Sequence, residues 1–424
     1  MTVPSAHVPT RRKTALGSAV VLAASASVVA AGGPAAASEL VVSTCADSGP
    51  GSLRQAIADA ETAAGPDTIV FSLATPCVGP SAVPVGSTMS ITQSLTIAGP
   101  GADSFVLDGG GSSLPAGMLV VSGDGTTDFS LSGITVTRSV ANESAVTALN
   151  VDTVTVTGVD FVDNESAYEG GGLTVDTASG AVTVSGSNFT DNRSTGGTDE
   201  GGGFFGTGLN GPVAVLSSLF TGNEAYRGAA VGIVSSTGDL LVANSTFSGN
   251  VGDSTGAFYF DGTGSATVLF TTVADNVAYT GTGGFYFVTS ASTLEIVGSV
   301  FTGNANDQVS AGGRTVTSSD NIFHGTVAGF TPDATDLDVD PLLGPLADNG
   351  GPTLTRALAP TSPAVGHGPT VVPAFPGNDS DHRGAPYLRV YGGRADAGAF
   401  ELQPEPVPDP GPGPDPVPEP RFTG

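Results

Sequence analysis

Short runs of alternating apolar and polar residues return at a nearly constant interval along the middle of the chain. The same four-residue motif closes each run: a phenylalanine followed three positions later by an asparagine. It occurs at Phe161–Asn164, Phe189–Asn192, Phe220–Asn223, Phe247–Asn250 and Phe301–Asn304. Val273–Asn276 is a sixth copy with valine in place of the phenylalanine. The asparagines are 26 to 31 residues apart. Glycine-rich steps and a further apolar run follow several copies.

This interval predicts a coil of parallel β-structure. Three strands of four to six residues with their turns need about 25 to 30 residues, and coils stacked at about 4.8 Å place equivalent residues above one another. The phenylalanines should form an interior stack. The asparagines should lie at a bend, where asparagine tolerates the left-handed conformation and its amide can bond the next coil. Leucine-rich repeats have a similar period, but their leucine frame is absent. We therefore predict an all-β, right-handed parallel β-helix of about ten coils.

One segment favours a helix. Residues 51–60 place Leu53, Ala56, Ile57 and Ala60 on one face, after Ser52 as a plausible N-cap. We expect a short N-terminal helical cap over the first coil, because an uncovered solenoid end exposes core and strand edge.

The ends of the chain differ from this middle part. Residues 1–37 are typical of a signal peptide, with a basic cluster at Arg11–Lys13, an apolar stretch and an Ala-x-Ala site. Residues 38–402 are the predicted β-helix domain. Residues 403–424 form a Pro-rich tail or linker that favours extended polyproline conformation. No second transmembrane span is expected.

Composition narrows the partners. The net charge is −27, and Lys13 is the only lysine. Nucleic acid is therefore not expected, since it requires a basic surface. Cys45 and Cys77 are the two cysteines of the chain, and in an exported protein they favour a disulfide worth about 3 to 4 kcal/mol by loop entropy. Unrelated thiols and a metal pair are the alternatives.

The two ends of the predicted domain resemble a known family. The opening block Cys45–Ile57 with Asp67–Phe71, and the later blocks Asp340–Thr353, Asp381–Gly384 and Asp396–Glu401, resemble bacterial "choice-of-anchor" surface proteins. The Phe-x-x-Asn and Gly-Gly repeats also resemble those of chlamydial polymorphic outer-membrane adhesins. The resemblance implies a right-handed parallel β-helix displayed or released outside the cell, without a known activity.

Residues just before the glycine steps are the candidates for chemistry. When the coils are aligned on their asparagines, Glu169 and Glu200 lie on adjacent coils about 5 Å apart, the separation in retaining glycosidases. A simpler interpretation is that turns of an acidic protein carry carboxylates anyway. The neighbouring residues at the same turns are candidate ligand contacts, and their tyrosines can stack on sugars: Tyr168, Asp199, Tyr226, Arg227 and Tyr279.

A polysaccharide lyase is less favoured than a hydrolase, since it needs cationic groups to neutralise the substrate carboxylate. Calcium can replace such cations, and Asp336, Asp338 and Asp340 alternate as ligands on one side of a strand would. A solvated strand face is the alternative. His324, His367 and His382 lack metal spacing and are expected to be structural.

From these observations we expect an extracellular or cell-envelope protein with an adhesin-like binding or scaffold role. The expected partners are a surface polysaccharide or a host or cell-surface protein. A carbohydrate-active enzyme that uses Glu169 and Glu200 is the alternative, and a passive structural role is the third possibility. β-Helix architecture alone does not decide among them.

Overall fold

The chain folds into a parallel β-solenoid of about ten turns. The computed structural model describes residues 39–63, 65–197, 200–288 and 292–404. The predicted signal peptide and nearly all of the Pro-rich tail lie outside these residues. Each central coil contributes four short strands, which we number rows 1 to 4 in the order in which the chain visits them.

In the described residues, row 1 is an 11-stranded parallel sheet. Its strands are β1 (Glu39–Val42), β2 (Asp67–Phe71), β5 (Leu95–Ala98), β9 (Phe129–Ser132), β13 (Val154–Thr157), β17 (Val182–Ser185), β21 (Val213–Leu216), β25 (Leu240–Ala243), β29 (Ala266–Leu269), β33 (Thr293–Val297) and β35 (Thr315–Ser319).

In the part of the chain that the structure describes, rows 2 and 4 belong to one 18-stranded sheet, because β34 pairs with strands of both rows. Row 2 comprises β3 (Val83–Pro84), β6 (Val106–Asp108), β10 (Thr135–Thr137), β14 (Asp160–Val162), β18 (Asn188–Thr190), β22 (Leu219–Thr221), β26 (Thr246–Ser248), β30 (Thr272–Ala274), β34 (Val300–Ser310) and β36 (Ile322–Ala328). Row 4 comprises β4 (Met89–Ile91), β8 (Leu119–Ser122), β12 (Val146–Val151), β16 (Leu173–Ala178), β20 (Phe204–Leu209), β24 (Val231–Ser236), β28 (Phe258–Gly262) and β32 (Phe285–Phe287).

Within the described residues, row 3 is a 7-stranded parallel sheet whose strands are two residues long. They are β7 (Ser113–Leu114), β11 (Val140–Ala141), β15 (Glu165–Ser166), β19 (Arg193–Ser194), β23 (Glu224–Ala225), β27 (Val251–Gly252) and β31 (Val277–Ala278). A 3-10 turn at Gly79–Ser81 precedes β3.

The predicted phenylalanine stack is confirmed. Phe161 pairs in register with Phe189, which pairs with Phe220. The ring centroids along this column are 4.7 and 4.6 Å apart, and Phe220 to Phe247 is 4.9 Å. Val273 fills the next level before Phe301. All of these side chains are fully buried, so the motif supplies the core of row 2.

The asparagines form a buried ladder beside this stack. Each side-chain amide nitrogen donates to the side-chain oxygen of the next asparagine, at 2.9 Å for Asn164 and 3.1 Å for Asn192. The predicted bond to the neighbouring coil is thus confirmed, but the asparagine is not the left-handed residue. The residue before it has positive φ, as Asp163 (54°) and Gly222 (66°) show. This is consistent with Asp or Gly at the third motif position, since both adopt that conformation more readily than most residues.

Helix α1 (Leu53–Ala60) forms where the sequence predicts it. The Ser52 hydroxyl accepts a hydrogen bond from the backbone N–H of Gln55, and Leu53, Ala56, Ile57 and Ala60 are buried. These side chains belong to the same apolar core as the coils. The predicted disulfide also forms between Cys45 and Cys77, which are 32 residues apart.

The last part of the chain leaves the solenoid. After β36, residues 341–404, which we call the strap, return along the outside of row 2. They include an antiparallel pair of strands, β37 (Leu343–Ala347) and β38 (Thr355–Leu358). Strap residues Phe375 and Phe400 pack in two apolar clusters with residues of the coils. The predicted domain 38–402 therefore contains two kinds of structure, stacked coils and a strap across them.

Two ion pairs of the strap are buried. Arg389 lies 3.0 Å from Glu401, and Arg383 lies 2.6 Å from Asp381. The Arg389 guanidinium also donates to Asn244 of the coils at 3.1 Å and stacks on Phe270. The segments Asp381–Gly384 and Asp396–Glu401 thus contribute Asp381, Arg383 and Glu401 to the polar interior of the strap. Paired burial of this kind avoids the cost of an isolated buried charge.

Candidate functional site

The turns between rows 3 and 4 hold most of the predicted site residues. The pairing of Leu173 with Phe204 sets the register of these turns. The N–H of Gly170 donates to the carbonyl oxygen of Glu200 at 3.3 Å, and Glu200 forms a β-bridge with Arg227. Glu169, Glu200 and Arg227 therefore lie on three successive coils, in the register that the sequence predicts.

Glu200 and Arg227 form an ion pair on the outer surface of row 4. The Glu200 side chain is only 9% exposed, against 32% for Arg227. Gly232 lies beneath this pair, and a Cβ atom there would come within 2.7 Å of the Glu200 Cβ. The absence of a side chain at position 232 therefore lets the Glu200 carboxylate lie flat on the sheet toward Arg227.

Aromatic rings surround the Arg227 guanidinium. Its central carbon lies 4.8 Å from the ring centroid of Tyr259 and 5.7 Å from that of Tyr226. Arg227 also donates to the Tyr259 hydroxyl at 3.1 Å, and the Tyr286 ring lies next along the row, 5.7 Å from that of Tyr259. Burial raises the pKa of Tyr259, and the Arg227 charge opposes that rise. Tyr259 is consequently a neutral hydroxyl at physiological pH.

The two exposed tyrosines of the described turns between rows 3 and 4 lie in separate depressions. Tyr168 is 62% exposed and lines a depression of about 320 Å³, which we call the Tyr168 depression. Its walls also include Glu143, Glu169 and Asp176. Tyr279 is 70% exposed and lines another of about 340 Å³, the Tyr279 depression. The Tyr279 depression also contains Arg193, Glu224, Tyr226 and Asp253.

The predicted ligand contacts thus do not form one continuous patch. Tyr168 and Glu169 line the Tyr168 depression, whereas Tyr226 joins Tyr279 in the Tyr279 depression. Glu200 and Arg227 lie on the row 4 surface. Asp199 lies outside the described residues.

Sequence reasoning missed Tyr259, Tyr286 and the acidic residues of the Tyr279 depression. The two tyrosines could have been found from the sequence, because each lies between two phenylalanines, in Phe258–Phe260 and Phe285–Phe287. Side chains of a strand alternate between its two faces, so a tyrosine between two buried phenylalanines must point outward. Glu224 and Asp253 gave no signal, because they are carboxylates in turns of an acidic chain.

The three aspartates predicted to bind calcium are not brought together. Asp336 accepts from the backbone N–H and side-chain amide of Asn321 at 3.0 and 2.9 Å. Asp338 accepts from the N–H of Gly325 at 3.2 Å, and Asp340 from that of Leu342 at 2.9 Å. Among the described residues, no group of three or more His, Cys, Asp or Glu has the geometry to hold a metal ion.

His382, a buried histidine of the strap, is held by two threonine side chains. His382 lies between the hydroxyls of Thr246 and Thr353, at 2.9 and 3.0 Å from its two ring nitrogens. Burial lowers the pKa of His382 to about 3, so its ring is neutral in the folded protein. It joins the strap to row 2 of the solenoid.

The fold and these surfaces define a parallel β-solenoid with an aromatic and acidic turn edge. No protein-family model matches the chain. Nor does any curated protein match it. Within the described residues, no helix has both the length and the apolar character to cross a membrane.

Proposed function

We propose that this protein is an exported binding protein that holds a polysaccharide along its turn edge. The observation that carries the proposal is the Tyr279 depression, in which Tyr279 is 70% exposed beside Tyr226, Arg193 and Asp253. Rings stack on the apolar faces of sugars, and charged side chains beside them bond the hydroxyls.

The surrounding scaffold supports a binding role. The Tyr168 depression repeats the combination of an exposed ring with carboxylates on neighbouring coils. Both depressions lie on turns held by in-register pairing of rows 3 and 4. Binding sites built on rigid coils lose little conformational freedom when a ligand binds. A long polymer can therefore contact several coils at once.

Finer features of the fold belong to this proposal. We infer right-handed winding from the strong preference of parallel crossover connections for that hand. We also infer that α1 covers the first coil, because Leu53 and Ile57 share the core of β1 and β2. We infer export from the signal-peptide features of residues 1–37. We infer display at the cell envelope and kinship with choice-of-anchor proteins from the blocks at the two ends of the predicted domain.

The test is a polysaccharide panel with the full chain and matched tyrosine variants. Tyr279→Ala and Tyr226→Ala should each weaken binding by about tenfold, the loss of one stacked ring. Tyr391→Ala is the control, because Tyr391 is 48% exposed on the strap. Binding that is indifferent to both depression variants would refute the proposed site. Capture of a purified cell-surface protein but no polysaccharide would favour a protein partner.

A carbohydrate-active enzyme is the second candidate, and one observation favours it. Glu169 and Glu200 lie on adjacent coils, and ion pairing with Arg227 stabilises the charged form of the Glu200 carboxylate. A carboxylate held in an ion pair suits a nucleophile, which leaves Glu169 as the acid and base. Reducing-end release that disappears in both Glu169→Gln and Glu200→Gln would establish hydrolysis. Binding without turnover would exclude it for the sugars tested.

A further inference from the structure

The strap covers only part of the outward face of row 2. Along this face, successive coils present Asp160, Asn188, Leu219, Thr246 and Thr272. Leu219, Thr246 and Thr272 are buried, and the strap contacts Thr246 and Thr272 through His382 and the N–H of Ala399. Asp160 and Asn188 lie just beyond and are only partly covered.

A groove runs between these two residues and the tip of the strap. Two adjoining depressions of about 240 and 360 Å³ share Asp160, Asn188 and Pro352. Gly158 and Gly186 form part of the lining, and neither has a neighbour that a side chain would have to displace. Both glycines have positive φ, at 59° and 54°, a conformation that disfavours most side chains.

Two side-chain groups that could donate hydrogen bonds into the groove are already engaged. The Asn188 amide nitrogen already donates to Asp160 at 2.7 Å, and the Thr353 hydroxyl bonds His382. By contrast, the Asn188 side-chain oxygen is buried and has no hydrogen-bond partner. Such an atom costs free energy unless a ligand or water donates to it. A complementary ligand must therefore supply donors.

The charge of the groove favours a cation. Asp160 has no ion-pair partner in the described part of the chain, where eight Arg–carboxylate pairs involve other residues. Burial raises the pKa of Asp160, and the nearby charge of Asp103 adds to that rise. A bound cation would stabilise the charged form of the Asp160 carboxylate, which burial and the Asp103 charge both disfavour. Apolar wall residues Val162, Leu219 and Leu354 favour an aliphatic stem behind the charge.

We propose that this groove binds an aliphatic ammonium group, with Asp160 as its counter-ion and the Asn188 side-chain oxygen as a second acceptor. The group is supplied either by a free alkylamine or by a lysine side chain of a protein partner. This site lies on row 2 beside the tip of the strap and does not depend on the proposed polysaccharide site on the turn edge.

The experiment compares pentylamine, pentan-1-ol and a short peptide with one central lysine, each titrated into the full chain. Binding is followed by the amide NMR signals of Gly158 and Gly186. We expect pentylamine to shift both signals with a Kd of about 1 mM, typical of one small-ligand contact, and pentan-1-ol to leave them unchanged. Stronger binding of the peptide than of pentylamine identifies a protein source, and the reverse identifies a free amine.

Variants decide the assignment of the two acceptors. Asp160→Asn keeps the shape and should weaken pentylamine binding by about tenfold or more, the effect of losing one partly buried charge pair. Asn188→Ser should weaken it less. Glu295→Gln is the control, because Glu295 is an exposed carboxylate of row 1. Equal shifts with pentan-1-ol, no shifts with either compound, or unchanged affinity in a folded Asp160→Asn variant would each overturn the proposal.

Discussion

The side-chain amide of Asn223 joins three coils of the solenoid. Its oxygen accepts from the Asn192 amide nitrogen at 3.1 Å, and its nitrogen donates to the Asn250 side chain and to the carbonyl oxygen of Phe189, each at 2.9 Å. The residue is fully buried. Each asparagine of the ladder is therefore both donor and acceptor, and replacing one leaves partners unsatisfied on both sides.

We expect Asn223→Ala to lower the free energy of unfolding by about 3 kcal/mol or more, because several buried groups lose their hydrogen bonds. Urea denaturation followed by far-UV circular dichroism measures it. Asn210→Ala is the control, since Asn210 is exposed in a turn. Equal stability of the two variants would mean that the ladder contributes little.

Phe220→Ala should cost about 3 to 5 kcal/mol, because it removes a fully buried ring and leaves a cavity. The ring lies 4.6 Å from Phe189 and 4.9 Å from Phe247, so two stacking contacts are lost as well. Phe220→Leu should cost clearly less. A loss below about 1 kcal/mol for Phe220→Ala would contradict burial of the ring in the stack.

The third position of the motif can be tested at Gly249. Its φ is +72°, and no atom lies within 4 Å of the position of a Cβ, so only the backbone conformation opposes a side chain. Gly249→Asn should therefore cost about 1 kcal/mol or less, and Gly249→Val about 2 kcal/mol. Thermal unfolding of the two variants compares them. Equal melting temperatures would argue against a left-handed residue here.

The buried ion pair of the strap should respond strongly to loss of one charge. The side chains of Arg389 and Glu401 are 1% and 0% exposed, so Glu401→Gln leaves a buried unpaired guanidinium and should cost about 3 to 5 kcal/mol. Glu165→Gln is the control. Its partner Arg193 is 48% exposed, and such a pair contributes about 1 kcal/mol or less. Similar losses in both variants would contradict this difference.

His382 should make the protein less stable as the pH falls. Its folded pKa is about 3, whereas an unfolded histidine titrates near pH 6.5. The unfolded chain therefore binds more protons below about pH 6.5, and the stability present above that pH is lost as the pH falls. Asp396 and Glu401 act in the opposite direction, since burial raises both of their pKa values.

The contribution of His382 is isolated by comparison with His382→Gln. Urea unfolding of both proteins between about pH 4 and pH 8 should show a difference in stability that shrinks by roughly 1.4 kcal/mol for each pH unit below 6.5. A difference that does not change with pH would mean that His382 has the same pKa in the folded and unfolded protein.

The sequence predicted the repeating parts of the molecule well, because each coil repeats the same local constraint. The period fixed the register that places Phe220 over Phe189 and Glu169 beside Glu200. It did not show that the left-handed residue precedes the asparagine, because Asp, Gly and Asn all tolerate that conformation. Nor did it show that the calcium candidates face different backbone groups, since alternation fixes a side of the strand but not the hydrogen-bond partners.

The sequence by itself determined a parallel solenoid of about ten coils, its phenylalanine and asparagine columns, the helix α1 and the Cys45–Cys77 pair. Only the tertiary structure decided where the strap lies. Its contacts join residues more than a hundred positions apart, such as Asn244 and Arg389, and no local period records such pairs. The strap in turn decides which outward residues of row 2 are buried and where the groove at Asp160 begins.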